Sequence, residues 1–492
     1  MSLSMTPYVF SRDKDEFDQL LNQSYEKFAK QVREDYVSFR DKVNKEYADF
    51  MRSHPWVYTE VEIPLVSPIQ KEPEPDIESE EESKKVIENQ KAVVIEDVIE
   101  INDITPRPMP IEPIEESPRN DDSRGMKLSF YGTPVNIRYV DMSSFRLKSN
   151  DESAFADGWE RLSQSTTNSL ISDCLRIRTE MGLPDWGYIM LLEMISSHLT
   201  GENSNEQRLL QGYLLNQSGY KIRFSYDSQR KLHILFASPG IIYGHPRYHL
   251  GDDWYYSYTQ PQGNEVYICK FEAPGEKAIN LAINESPLFD YVPGTTRNII
   301  VKNYPDITLS ITPNKNLIDF FNDYPGATLD LSPYSMWAIH GNTPVSKEVK
   351  SQLYPSLMSA VEGKSQYEAL QFLLKVAQSF PYEYDEKLWG KDRVFWMEES
   401  WEYPYSDCED HAINFSHMVR DILGLDVCLV YYPGHLSSCV ALTDYDVKGD
   451  FIMYNGKKYI VCDPTYFFSN VGKTAPSNNN AEAILIPLRK LN

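Results

Sequence analysis

The clearest pattern of apolar and polar positions lies near the N-terminus, between Phe17 and Phe50. Apolar residues recur there at steps of 4, 4 and 3, in three series that each repeat every eleven positions: Phe17, Phe28, Phe39 and Phe50; Leu21, Val32 and Val43; Tyr25, Tyr36 and Tyr47. A period of about 3.67 residues per turn predicts a long helix with one apolar stripe. We expect it to run from Asp13 to Ser53 and to end before the His54-Pro55 pair.

A helix of this kind cannot bury its stripe alone. The stripe therefore predicts either self-association, as in a coiled coil, or docking on the rest of the chain. The four phenylalanines Phe17, Phe28, Phe39 and Phe50 are the expected contact residues. A cofactor site along the stripe is not expected.

Residues 56–125 show no helical period and are rich in proline and acidic residues, as in PDIESEEESKK, which predicts a disordered linker. Within it, VVIEDVIEIND (93–103) mixes β-branched and acidic residues. That segment fits either an edge strand added to a sheet or a solvated segment, and we favour the solvated form.

Ordered structure is predicted again from Met126, where MKLSFYGTPVNIRYV has the pattern of a hairpin around Tyr131-Gly132-Thr133. Helical periods follow over 159–181 and 186–199. Residues 126–258 are expected to form an α+β unit. Residues 259–340 contain several strand-like runs, including KAINLAI and ITLSITP, and predict a β-rich module with a short helix at Asn316 to Phe321. Helical spacing returns over 346–380.

Two stretches have the same layout. Residues 204–226 and residues 406–432 each begin with polar residues, continue as a helix with a glycine at its end, and close in a strand with aromatic residues. This similarity suggests a duplicated unit whose first copy lacks the cysteine of the second, with Asn205 or Glu206 in its place.

Composition narrows the possible functions. The 492 residues carry a net charge of −24, which argues against nucleic acid as a partner. No run approaches the roughly 20 apolar residues of a membrane span. The N-terminus lacks the pattern of a signal peptide, so we expect an exported or periplasmic protein if the chain is a mature form and a cytoplasmic one otherwise. The six cysteines form no CxxC pair, which argues against a zinc site and a disulfide framework. Cys428, Cys439 and Cys462 lie in apolar strand-like runs and predict buried thiols, with a cross-strand disulfide as the alternative.

The candidate chemistry lies in residues 341–492. Cys408 begins a predicted helix, His435 begins a strand after a Pro-Gly turn, and Asp463 follows the next strand. A helix N-terminus stabilises a thiolate, and its backbone N–H groups can hold an oxyanion. The order is that of a thiol nucleophile, its base and the group that orients the base. Glu409 and Asp410 oppose ionisation of the thiol, so they must point away or be paired.

Two other histidines, His411 and His417, follow Cys408 on the same predicted helix. His411 is a rival base on the same helix, but His435 is preferred because a base on the facing sheet approaches the sulfur without bending the helix. His417 is interpreted as structural. A metal site at Cys408, Asp410 and His411 lacks a fourth ligand at suitable spacing, so we expect no bound metal and no cofactor.

The motifs SDCEDHAINFSHMVRDILG, GHLSSCVAL and YIVCDPTY resemble the core of the transglutaminase-like superfamily. The resemblance covers roughly Ser346 to Asn492. It implies a papain-like α+β fold, in which a helix carrying Cys408 packs on an antiparallel sheet carrying His435 and Asp463. A serine, Ser406, stands where a glycine often precedes the cysteine, and it can cap a helix. The family often takes a further oxyanion donor from an upstream side chain, for which Trp396, Trp401 and Tyr403 are candidates.

The resemblance implies a bacterial cysteine peptidase or amidase that cleaves a peptide or protein substrate through a thioester on Cys408. A transamidase is the variant that uses an amine as acceptor, and hydrolysis is preferred. The alternative is a non-catalytic scaffold or binding protein that keeps the fold without its chemistry.

Overall fold

The computed structural model shows a mixed α+β protein with helices and sheets distributed along the whole chain. It describes residues 9–67, 74–100, 125–138, 140–164, 167–443, 447–478 and 482–490, with side chains from residue 24 onward. The expected α+β class is thereby confirmed, whereas the transglutaminase-like core remains a prediction.

The N-terminal helix α1 spans Val9–Ser53 and ends before Pro55, as the repeat predicts. Its C-terminal third docks on the rest of the chain. The ring of Tyr47 stacks on Phe271 at 4.4 Å and meets Trp159 edge-on at 4.3 Å. The stripe continues into solvent, because Phe28 and Phe39 are 68% and 43% exposed. The side chain of Phe17 lies outside the described residues.

A β-hairpin and four helices come before the first sheet in the chain. The expected hairpin consists of β3 (Met126–Phe130) and β4 (Thr133–Ile137), which follow two strands described below. The helices are α3 (Glu152–Leu162), α4 (Asn168–Glu180), α5 (Asp185–Thr200) and α6 (Asn205–Gln217). Each of the two helices α3 and α6 starts at a side-chain cap, since Asp151 and Ser204 accept hydrogen bonds from the backbone of the first turn.

The first sheet follows α6 and contains β5 (Ile222–Asp227), β6 (Leu232–Ser238), β7 (Arg247–Leu250), β8 (Asp253–Ser257) and β9 (Glu265–Cys269). Its strand order is β1-β9-β5-β6-β8-β7, where β1 is Val57–Glu60. Strands β5 and β6 are buried along their whole length. We call α6 and this sheet the first unit.

The middle of the chain contains less strand than the sequence suggests. Strands β10 (Arg297–Ile300) and β11 (Thr308–Ile311) form a separate hairpin, followed by α7 (Lys315–Asn322) and α8 (Met336–Asn342). The helix expected at Asn316 to Phe321 is present. The run KAINLAI (277–283) is not a strand, although its alternate residues Ile279, Leu281 and Ile283 are buried. The run is held by isolated main-chain hydrogen bonds, such as that from Ile279 N to Ala237 O at 2.9 Å. The alternation of apolar residues therefore predicts burial correctly there, but not a regular strand.

The second sheet follows α9 (Lys347–Val361), α10 (Gln366–Ala377), α11 (Asp385–Trp389), α12 (Met397–Glu402) and α13 (Cys408–Met418). Its strands are β12 (Val427–Tyr432), β13 (His435–Ala441), β14 (Phe451–Tyr454), β15 (Lys457–Cys462) and β16 (Ala483–Pro487). The order is β14-β15-β13-β12-β16-β2, where β2 is Ile95–Val98. We call α13 and this sheet the second unit.

The acidic segment between α1 and the hairpin contributes an edge strand to each sheet. Strand β1 pairs with β9, and β2 (Ile95–Val98) pairs in parallel with β16. The short helix α2 (Glu80–Ser83) lies between these strands. The segment VVIEDVIEIND therefore joins a sheet through its residues 95–98, and the favoured solvated form was wrong.

The two sheets have the same strand order. Each strand of the first sheet from β5 to β9 corresponds to the strand seven places later in the second, and a strand from the acidic segment occupies the outer edge beside β9 or β16. Contacts join α13 to β13 and α6 to β6. The shared order is the structural counterpart of the similar layout of residues 204–226 and 406–432.

Candidate active site

Cys408 is the first residue of α13 and lies against the start of β13. Its side chain is buried, and the main-chain N–H of Leu436 points at Sγ with an N–S distance of 3.4 Å. A thiolate at this position would be stabilised by that N–H group and by the helix N-terminus. The predicted contact between the cysteine helix and the histidine strand is thus present at the residue next to His435.

His435 is paired with Asp463, as the sequence predicts. His435 Nε2 and Asp463 Oδ2 are 2.9 Å apart, and both residues are buried. The carboxylate is itself held, because its Oδ1 accepts hydrogen bonds from the main-chain N–H groups of Thr465 and Tyr466 at 3.1 Å. Donation from Nε2 to Asp463 leaves Nδ1 as the basic nitrogen of the ring.

The two acids after the cysteine behave differently. Asp410 is paired as expected, since its Oδ1 accepts from Phe395 N at 2.8 Å and its Oδ2 from Asp407 N at 3.4 Å. Glu409 does not point away, because Cys408 Sγ donates to its Oε2 at 3.2 Å. The thiol therefore lies within hydrogen-bond distance of a carboxylate, which the sequence did not indicate.

Carboxylates are concentrated behind the helix start. Oxygens of Asp385, Asp407 and Asp410 all lie within 4.8 Å of one another, as do those of Asp385, Asp392 and Glu409. Burial, followed by the charge of Asp385, raises the pKa of Asp410 well above its ordinary value. A proton retained on Asp410 reduces the electrostatic repulsion among the carboxylates of Asp385, Asp407 and Asp410. The oxygen atoms are the ligand type that hard cations prefer, and neither set includes Cys408 or His411.

The other two histidines of α13 are buried in the interior of the protein. His411 is fully buried among the rings of Phe380 and Tyr382, at 6.0 and 6.1 Å, and burial lowers its pKa to about 3. His417 contacts the main-chain oxygen of His340 at 3.2 Å and Arg420 at 3.4 Å, and burial lowers its pKa to about 3 as well. These contacts are those of structural histidines.

The three candidate oxyanion side chains have contacts elsewhere. Trp396 Nε1 donates to Thr343 Oγ1 at 3.3 Å, and Tyr403 Oη donates to Asn322 Oδ1 at 2.8 Å. Trp401 packs edge-on against Phe380 at 4.8 Å, in a different apolar cluster from Cys408. The backbone N–H groups at the start of α13 are therefore better placed than these three side chains to donate to an oxyanion formed at Cys408.

The first unit has different side chains at the corresponding positions. Asn205 is the first residue of α6, and its Oδ1 accepts from the main-chain N–H of Leu232 at 2.8 Å, the contact that Cys408 makes with Leu436. Asn205 therefore stands in the place of Cys408. Lys231, which precedes Leu232, corresponds to His435. Thr259, whose Oγ1 lies 2.7 Å from His233 Nδ1, occupies the position that Asp463 has in the register of the second sheet.

A cavity of about 420 Å³ opens beside the second unit. Its wall contains aromatic side chains from both halves of the chain, together with His340 and Asp392; the aromatic residues are Tyr243, Phe321, Tyr324 and Trp396. Met336 and Val394 belong to this wall and also pack in the apolar cluster that contains Cys408. The cavity thus borders the layer of side chains around the thiol.

Comparison of the chain with protein-family models, with curated proteins and with solved structures finds no match. Within the described ranges, no helix is both long enough and apolar enough to cross a membrane.

Proposed function

We propose that the protein is a cysteine hydrolase with a transglutaminase-like core, which cleaves an amide bond through a thioester on Cys408. The observation that supports this best is the contact of Cys408 Sγ with the strand that begins at His435, whose imidazole is bound to Asp463. A thiol, a base and an orienting carboxylate on a helix start and two neighbouring strands make up the set that acyl transfer needs.

The proposed reaction has two steps. The thiol proton passes to Nδ1 of His435, the sulfur attacks the amide carbonyl, and the C–N bond breaks as the imidazolium returns the proton to the leaving amine. Water then attacks the thioester carbonyl with His435 as general base, which releases a carboxylic acid and the free thiol. Backbone N–H groups at the start of α13 would carry the negative charge on the carbonyl oxygen.

The test is the alkylation rate of each cysteine with iodoacetamide at neutral pH, read by peptide mapping. We expect Cys408 to react faster than Cys174, which is equally buried but lies in the middle of α4. His435→Ala should slow Cys408 by at least about tenfold, because it removes the base. His233→Ala is the matched control, since His233 Nε2 also pairs with an aspartate, Asp227, at 3.2 Å.

Labelling of Cys408 that is no faster than that of Cys174, and that does not change in His435→Ala, would contradict the proposed function. The scaffold alternative predicts that result. It also predicts that Cys408→Ala leaves the cellular role of the protein intact.

One observation favours an assembly role in addition to catalysis. The α1 stripe is exposed beyond its docked third, with Tyr25 at 72% and Phe28 at 68% exposure. Residues 13–27 carry five acidic and two basic side chains, whereas residues 28–42 carry three acidic and four basic ones. We infer that a second copy of α1 pairs with this stripe in antiparallel fashion, since that orientation places the acidic half against the basic half.

Sedimentation velocity over a range of concentrations tests the pairing. We expect a monomer–dimer equilibrium that Phe28→Glu abolishes, because the stripe would then bury a charge. Ser24→Ala, an uncharged exchange at an exposed position one turn before Phe28, should leave it unchanged. A monomer at all concentrations, or a dimer that persists in Phe28→Glu, would exclude pairing through α1.

A further inference from the structure

The cavity beside the second unit has the volume of a small-molecule site. Its volume of about 420 Å³ lies in the range of ligand pockets. The rings of Phe321 and Trp396, which belong to its wall, stack on one another at 4.5 Å with an angle of 8° between their planes. This fixed pair of rings offers an apolar surface to a planar or aliphatic group.

Three side chains of the same wall are hydrogen-bond donors, and two of them carry a positive charge: Arg393, Lys391 and Asn322. Lys391 is exposed, whereas only 17% of the Arg393 side chain is exposed. Nη2 of Arg393 donates to Asn322 and to Glu399, which takes up both N–H groups of that atom. A ligand would therefore bind the guanidinium through Nε or Nη1.

Asn322 is oriented so that its amide nitrogen can serve a ligand. Its Oδ1 accepts from Arg393 Nη2 at 2.6 Å and from Tyr403 Oη at 2.8 Å. Two donors on Oδ1 fix the plane of the amide, and its Nδ2 group, which is itself a donor, is turned away from both of them. Arg393 and Asn322 thus form a rigid pair of donors at the wall.

The carboxyl group that pairs with Arg393 compensates its charge only in part. Glu399 is fully buried, and burial raises its pKa to about 7. A carboxyl group with that pKa is about half protonated at pH 7. The pair of Arg393 and Glu399 therefore carries a net positive charge at neutral pH.

The wall also contains an acid, Asp392, and a histidine whose pKa shows which sign of charge prevails. A carboxylate oxygen of Asp392 lies within 4.8 Å of one from Glu409, so it belongs to the acidic group behind the helix start. His340 is held by a main-chain hydrogen bond to Phe395, and burial lowers its pKa to about 3. Arg393 is the charged group of the described chain that adds to this shift, so the potential at the His340 ring is positive.

We propose that this cavity binds a carboxylate on an aromatic or aliphatic body, with the carboxylate at Arg393 and Asn322 and the body on the rings of Phe321 and Trp396. The planar guanidinium and amide groups present donors that match the two oxygens of a carboxylate. Lys391 at the exposed rim attracts the acid as it enters.

The position of the cavity links this acid to the proposed reaction. Met336 and Val394 belong both to the cavity wall and to the apolar cluster that contains Cys408. An amide substrate with an acidic group would therefore be held one layer of side chains from the thiol. The proposal rests on the proposed function only in assigning the acid to that substrate, and binding of the acid itself does not depend on it.

Calorimetric titration of the Cys408→Ala protein measures binding without any chemistry at the thiol. The probe is 3-phenylpropionate, and its matched analogues are 3-phenylpropanamide, which is neutral, and 3-phenylpropylamine, which is cationic. We expect the acid to bind at least about tenfold more tightly than either analogue. N-Acetylalanylphenylalanine is a peptide acid; tighter binding of it than of 3-phenylpropionate assigns the cavity to a peptide C-terminus, and weaker binding assigns it to a free acid.

Charge variants test the donors of the wall. Arg393→Gln should weaken binding of 3-phenylpropionate at least about tenfold, and Lys391→Gln about threefold, because the first charge is partly buried and the second is screened by solvent. Lys364→Gln is the control, since Lys364 is also exposed but lies outside the cavity wall. It should leave the affinity within about twofold.

A further variant tests the location. A Cβ atom at Gly326 meets only Tyr243 Cδ2, at 3.7 Å, so Gly326→Leu can add a side chain at the cavity wall without disturbing the backbone. It should reduce the affinity for 3-phenylpropionate by at least about tenfold and leave the melting temperature within a few degrees of the parent protein.

The proposal is overturned if 3-phenylpropionate does not bind, if either analogue binds as tightly, or if Gly326→Leu or a folded Arg393→Gln leaves the affinity unchanged. Should Arg393→Gln lose its fold, Lys391→Gln and Gly326→Leu decide the matter. Since these titrations use Cys408→Ala, their failure is distinct from failure of the alkylation test, which measures the thiol and His435 alone.

Discussion

In the first unit, α6 begins with Asn205, whose amide binds Leu232 N, Arg230 O and Asn150 Oδ1, all within 2.9 Å. In the second unit, α13 begins with Cys408, whose sulfur contacts Leu436 N and Glu409. The strand order around both helices is the same. The scaffold therefore tolerates either a fully bonded amide or a weakly bonded thiol at the helix start, and the candidate chemistry depends on a few side chains rather than on the sheet.

The two units also differ in what the next residues of α6 and α13 bind in the first helical turn. Glu206 and Glu409 follow the first residue, and Gln207 and Asp410 come next. Glu206 Oε1 accepts from Leu147 N at 2.9 Å, so it supports the chain rather than a thiol. The first unit uses its polar side chains to hold loops, whereas the second directs one of them at the candidate nucleophile.

The largest effect on the alkylation rate of Cys408 should come from removing Asp463, the carboxylate that orients His435. Asp463→Asn places an amide that can donate to His435 Nε2, which favours the tautomer with a proton on Nδ1. We expect alkylation of Cys408 to slow on the order of tenfold to a hundredfold. Asp227→Asn changes the His–Asp pair of the first unit and should leave the Cys408 rate unchanged; an equal effect of both substitutions would contradict the role of Asp463.

The second test moves the cysteine into the first unit. Asn205→Cys creates a thiol at the start of α6 without a histidine before Leu232. Its alkylation should be at least about tenfold slower than that of Cys408, because a helix N-terminus without a base activates a thiol less. Loss of the Asn205 hydrogen bonds should lower the free energy of unfolding by about 1–3 kcal/mol in urea denaturation. A thiol as reactive as Cys408 would show that the helix start alone suffices.

A smaller effect is expected at the carboxylate beside the thiol. Glu409→Gln removes a negative charge next to Sγ, which favours the thiolate. The alkylation rate of Cys408 should rise about threefold to tenfold at pH 7. Glu206→Gln is the corresponding substitution in the first unit and should have no effect on that rate. A slower reaction in Glu409→Gln would instead assign this carboxylate a part in accepting the thiol proton.

The smallest expected effect is on the pH dependence of the free energy of unfolding. The pKa of Asp410 is raised in the folded protein by burial and by Asp385, so the folded state holds a proton that the unfolded chain releases above its ordinary carboxyl pKa. Stability should therefore fall as the pH rises above that value. Asp410→Asn, which copies the neutral Gln207 of the first unit, should make this decline shallower in urea denaturation at pH 5 and pH 8. An unchanged slope would mean that Asp410 is ionised in the folded protein.

Much of the fold could be predicted from local patterns. The eleven-residue stripe indicated α1, and the turn at Tyr131-Gly132 indicated the first hairpin. The order of Cys408, His435 and Asp463 predicted the His–Asp pair that the structure shows. These features depend on neighbours in sequence or on a small number of adjacent elements, which is why periodicity and turn residues report them.

Other features depend on residues that are distant in sequence. The edge strand β2 could be predicted only as the less favoured alternative, because its partner Ala483 is distant in sequence and the acidic neighbours of Ile95 suggested a solvated segment. The contact of Glu409 with Cys408 depends on a side-chain torsion that spacing does not reveal. The boundaries drawn for a β-rich middle module and a separate linker remain predictions, although β9 and β1 are shared with the first sheet.

The shared edge strands also bear on how the chain is made. Asp76, in the acidic segment before α2, accepts hydrogen bonds from the main-chain N–H and the hydroxyl of Ser477, a residue 401 positions away. The acidic segment leaves the ribosome well before its partner strand β16, which lies far later in the chain. Until β16 is synthesised, β2 has an unpaired edge, and its acidic residues Glu96 and Asp97 oppose aggregation through that edge in the interval.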